Sequence, residues 1–131
     1  MNKDYVSMPD LAMIAYIFAT KVVSVYIRNV LFELSAKEYY SFHSFVHNSI
    51  TTFYCYNSRN YFIGVFPNLM NSEERSYVSF RFLENNCQCF DYRYNTHIFL
   101  DVFREQYIRL YDYRRRKYFM FNFFTNEQND K

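Results

Sequence analysis

Four consecutive cations, Arg114-Arg115-Arg116-Lys117, stand between Tyr113 and Tyr118, with Tyr111 close by. Cations on a turn neutralise phosphates and phenol faces stack on unpaired bases. This corner therefore has the chemistry for RNA or single-stranded DNA. Against it stand Asp112 beside the cluster and a formal net charge of only +2, from 15 Lys+Arg and 13 Asp+Glu. A solvated turn balanced by nearby carboxylates is the plainer reading, so nucleic acid is the second choice of partner.

His43 and His47 lie four apart, which on a helix puts both imidazoles on one face. Cys87 and Cys89 could in principle complete a tetrahedral site with them, but the pair is one residue closer than the usual zinc spacing. No metal is expected. Nothing near the three cysteines supports a Cys–His nucleophile, and paired carboxylates occur only as Glu73-Glu74 in a polar stretch. The single glycine, Gly64, rules out a glycine-rich phosphate loop. The expectation is a non-enzymatic protein with no catalytic residue and no cofactor.

Composition bounds the rest. A chain of 131 residues is one domain, expected over 1–131 with frayed tails at 1–6 and 125–131. Phe (16) and Tyr (15) are abundant while Gly (1), Pro (2) and Trp (0) are scarce, as A/T-rich codons dictate; a small viral gene is one source of such a bias. Cys55, Cys87 and Cys89 are odd in number, and two of them are too close for an easy mutual bridge. That reads as free thiols in a reducing compartment: intracellular, in the host cytoplasm or nucleus if the gene is viral. No signal peptide is evident.

These residues need elements to hold them. Ser7-Met8-Pro9-Asp10 is a helix start, with a capping serine, a first-turn proline and an acid at the positive end of the dipole. From Leu11 to Leu34 only Lys21, Ser24 and Arg28 make a narrow polar stripe, so this helix must be covered on most sides. Lys21 and Arg28 interrupt the apolar run, and a membrane span is not expected. Ser35-Ala36-Lys37-Glu38 reads as a second capping box opening a helix to about His47.

The period then changes to two. Strands are expected at 51–57 and 61–66, then at 77–83 and 87–94, each pair a hairpin. Residues 68–76 read as a loop or a single helical turn. Residues 97–113 fit a helix to about Leu110 or the first arm of a hairpin around the basic turn; the helix is preferred, followed by a last strand at 118–123. No internal repeat is expected. The fold class that results is α+β: two N-terminal helices packed on a mainly antiparallel sheet of four to six strands, with one further helix before the last strand.

So many rings exceed what a core of this size easily encloses. The expected function is a protein–protein interaction or assembly module, a homo-oligomer or one docked on another protein. Its contact surface is expected at Ile14, Phe18, Val22 and Val25 of the first helix and at Tyr54, Tyr56, Tyr92 and Tyr94 of the sheet. The alternative, RNA or single-stranded DNA, would use Arg114, Arg115, Arg116 and Lys117 with Tyr113 and Tyr118. The association reading would lose its basis if the first helix were enclosed by its own sheet and the phenols stood singly.

Overall fold

A computed structural model describes residues 5–23 and 26–126. One helix, α1 (Met8–Val22), precedes ten strands: β1 (Ile27–Glu33), β2 (Glu38–His47), β3 (Ile50–Cys55), β4 (Asn60–Val65), β5 (Asn68–Asn71), β6 (Ser76–Leu83), β7 (Asn86–Asp91), β8 (Thr96–Phe103), β9 (Tyr107–Asp112) and β10 (Lys117–Thr125). Each strand pairs antiparallel with its neighbour in sequence, and β1 pairs with β10 to close a barrel.

The walls alternate as a two-residue period requires. Tyr40 and Phe42, Phe53 and Cys55, Val78 and Phe80, Ile98 and Leu100, and Phe119 and Phe121 point inward and are buried. Ten strands enclose a wider lumen than side chains alone fill, and α1 occupies it. Every residue from Leu11 to Ala19 is at most 1% exposed. Ala12, Ala15 and Ala19 let the wall approach, whereas Tyr16 stacks on Phe42 with centroids 4.4 Å apart and meets Phe53 edge-on at 6.3 Å. The Tyr16 hydroxyl donates to Asn29 Oδ1 at 2.6 Å, so its buried polar tip is satisfied.

The start of α1 follows its sequence signals: Asp10 N–H donates to Ser7 Oγ at 3.3 Å, and Pro9 lies in the first turn. The rest of the α+β expectation is corrected. The helix ends at Val22, not Leu34, because the β-branched Val22-Val23 step disfavours helix and 15 residues, roughly 22 Å, already cross the lumen. The capping box at 35–38 is instead a turn, with Lys37 in the left-handed region (φ 56°), and the expected second helix is β2. The helix expected over 97–110 is β8 and β9, a pairing fastened by Arg109 and Asp101 across the strands. Residues 68–76 contain β5. Among the described residues the sheet has ten strands, not four to six, and there is one helix. Of the expected frayed tails, residues 1–4 and 127–131 lie outside the described residues. Val6 is buried and Thr125 pairs with Ile27.

The expectation of no internal repeat is also corrected. At one end of the barrel, five four-residue turns (34–37, 56–59, 72–75, 92–95, 113–116) join successive strands. Each closes on a left-handed residue: Lys37, Arg59, Arg75, Asn95 or Arg116. Four are preceded by a buried Glu33, Asn71, Asp91 or Asp112 whose side-chain oxygens accept the N–H groups two and three residues on. Such side-chain caps satisfy turn amides that the ladder leaves unpaired. The repeat even spells itself as Asp91-Tyr92-Arg93 and Asp112-Tyr113-Arg114.

Candidate functional site

The barrel wall separates the residues that suggested chemistry. Cys55, Cys87 and Cys89 are free thiols facing the lumen, whereas His43 and His47 are exposed on β2. The zinc arrangement is therefore not assembled. Burial pushes the Cys87 thiol up to about 11 and the Cys89 thiol higher than its ordinary value, so both stay protonated at neutral pH and act as small apolar fillers. Of the Glu73-Glu74 pair, Glu74 accepts from Tyr94 Oη at 3.0 Å and faces Arg93 at 3.3 Å.

Beneath these turns lies a buried polar knot. Asp10, at the head of α1, accepts from Asn71 Nδ2 at 2.9 Å and from Asn60 Nδ2 at 3.2 Å, tying the helix to β4 and β5. Burial pushes the Asp10 carboxyl up, with the two amides pulling the other way. Asp91 is likewise raised by burial, partly offset by the Tyr94 and Arg93 N–H groups.

The basic turn is only partly free. Arg115 points inward, with Nη1 2.5 Å from Asp112 Oδ2 and its guanidinium 3.9 Å from the centre of the Tyr5 ring. Arg114 donates from Nη2 to the Tyr94 carbonyl at 2.9 Å. Arg116 and Lys117 are exposed, as are Tyr113 and Tyr118.

The outer wall of β7–β10 carries a continuous belt of rings. Tyr92 meets Phe90 at 4.7 Å between centroids, Phe90 meets His97 at 4.9 Å, and His97 meets Tyr113 at 6.4 Å. Tyr113 meets Tyr111 at 4.8 Å, and Tyr111 meets Tyr118 at 4.7 Å. Interplanar angles run from 57° to 85°, so the rings lie edge against face and occupy one another's faces. The register makes this possible: Phe90 lies opposite His97, and Tyr111 opposite both Phe99 and Tyr118. A smaller outer cluster on β1–β4 holds Phe32 against Tyr39 and Tyr54 against Tyr56.

The residues expected at a contact surface are thus dispersed. Ile14 and Phe18 are sealed inside the barrel; Val22 is half-buried at the helix end, and Val25 lies outside the described residues. Tyr54 and Tyr56 sit in the smaller cluster, and Tyr92 ends the belt. Tyr94 is 8% exposed because the strand ends at Asp91 and the turn swings its ring under, where it bonds Glu74. Phe90 and His97, both in the belt, were not anticipated. The spacing that reveals part of the belt is the two-residue ring pair, Phe90/Tyr92 and Tyr111/Tyr113.

Comparison with known protein families, with curated proteins and with solved structures finds no match. Among the described residues no helix is long and apolar enough to cross a membrane.

Proposed function

We propose that this chain is a non-enzymatic protein–protein interaction module that associates, with a second copy or another protein, through the ring belt on β7–β10. The single observation that carries the reading is the continuity of six rings on an exterior wall, Tyr92 to Tyr118. The helix already fills the lumen, so recognition falls to the outside. A closed barrel offers no free strand edge, which leaves side chains as the means of contact. Contiguous exposed aromatic surface is what interfaces are enriched in.

The test is molar mass in solution against concentration, together with binding of a hydrophobic dye. The expected result is concentration-dependent self-association or a dye-accessible patch, either one abolished by Tyr92→Ser, Tyr113→Ser and Tyr118→Ser combined. A compact monomer at high concentration that binds no dye would remove the proposal.

One observation favours nucleic acid as a second reading: Arg116 and Lys117 are exposed at the same corner as Tyr113 and Tyr118. Two others weigh against it. Arg115 is turned inward onto Asp112, and the faces of the belt rings are already covered by neighbouring edges. Neutralising Arg114, Arg116 and Lys117 discriminates: the salt dependence of binding flattens if phosphates are the partner and stays unchanged if a protein is.

A further inference from the structure

Beyond Tyr92 the outer wall changes character. A shallow open groove with about 590 Å³ of space is lined by Asn68, Arg75, Ser76, Tyr77 and Tyr92. Tyr92, just past β7, donates its N–H to the Tyr77 carbonyl of β6 at 3.1 Å, which sets the two residues side by side, and both phenols are exposed.

Three consecutive residues here lack the partners their side chains are built for. The Arg75 guanidinium makes no ion pair or side-chain hydrogen bond among the described residues; Glu74 beside it is engaged by Arg93 and Tyr94. The Ser76 hydroxyl is buried with no hydrogen-bond partner. Tyr77, unlike the belt rings, packs against no other ring among the described residues, and the residue is 54% exposed. At the same end Arg115 is tied to Asp112, and Asp10 to Asn60 and Asn71.

We infer that this groove is a binding site for a planar aromatic ring carrying an oxyanion. A guanidinium grips an oxyanion through paired N–H donors. An open phenol face accepts a second ring offset or edge-on. The Asn68 amide supplies a further polar contact, and the space suits a ligand the size of a mononucleotide or a phosphorylated aromatic side chain. The inference is independent of the association reading, because its test needs no protein partner.

The experiment is a nuclear magnetic resonance titration of the labelled full chain with phenyl phosphate, with phenol and inorganic phosphate as the separate halves. Phenyl phosphate is expected to shift Arg75, Ser76, Tyr77 and Tyr92 together, and to saturate at about tenfold lower concentration than either half. Arg75→Gln is expected to weaken it about tenfold. Arg59→Gln, at the same place in another turn, should leave it unchanged. Adenosine monophosphate and a phosphotyrosine peptide then separate the sources: the tighter of the two shows whether the ring comes as a free nucleotide or on a protein. Equal binding of inorganic phosphate and phenyl phosphate, shifts centred elsewhere, or an Arg75→Gln protein that binds as before would overturn the inference.

Discussion

The two ends of the barrel are built on opposite principles. At one, buried carboxylates and amides hold long turns by their N–H groups, and a knot of Asp10, Asn60 and Asn71 anchors the helix head. At the other, short turns such as 47–50 and 83–86 carry no such caps, and Val46, Ile50, Val65 and Leu83 stand exposed. The helix ends there with Val22 half-buried. The contrast teaches that order at one end comes from directed polar bonds and at the other from tight backbone turns and ring packing, with Phe66 on Phe80 and Phe82.

The sharpest break should come at the capped end. Asp112→Ala strips two turn N–H groups of their acceptor and leaves Arg115 without its carboxylate. Removing one member of so buried a pair should cost about 3–5 kcal/mol, read from the denaturant midpoint. Leu83→Ser at the uncapped end should change it by less than about 0.5 kcal/mol. Equal losses would erase the contrast.

The uncapped end has one tight point. A Cβ on Gly64 would lie 2.7 Å from the Asn68 carbonyl oxygen across the β4–β5 hairpin. Gly64→Ala should therefore destabilise by about 1–3 kcal/mol, as other overpacked sites do. A neutral result would mean that this hairpin gives way.

The smallest effect is one of pH. Burial raises the Asp10 and Asp91 carboxyls above the ordinary 3.8, so between that value and their raised ones the folded chain holds more protons than the unfolded. Their contribution to stability therefore increases as pH falls from neutral towards 4 and is lost as pH rises through the folded values. Urea midpoints measured from pH 7 to pH 5 should show Asp10→Asn gaining less on acidification than the natural chain. A steeper gain in the variant would contradict the burial of this carboxylate.

What the sequence disclosed follows from where its periods are clean. Ser7, Pro9 and Asp10 marked the helix start, and the hairpins at 51–66 and 77–94 were visible because aromatic and polar residues alternate there. Residues 38–47 misled because the outer wall is aromatic too. Tyr39 and Phe45 face outward and Phe42 inward, so rings fall at every spacing and a helical period appears by coincidence. β-Forming residues decided the matter in favour of the sheet. Barrel closure was illegible for a different reason: the Ile27–Thr125 and Leu31–Phe123 pairings are far apart along the chain and leave no local mark. Tyr92, Tyr113 and Tyr118 could be singled out one by one, but only strand register brings them together. The twice-written Asp-Tyr-Arg was in plain view and marked two of the capped turns.

The enclosure of α1 sets an order of events during synthesis. The segment that most needs shelter from water is made before all ten strands, yet its housing is not shut until Lys117–Thr125 meets Ile27–Glu33. Until the tenth strand has been made the newborn chain carries an unprotected oily helix, and a stop codon between the two would hand the cell a sticky fragment.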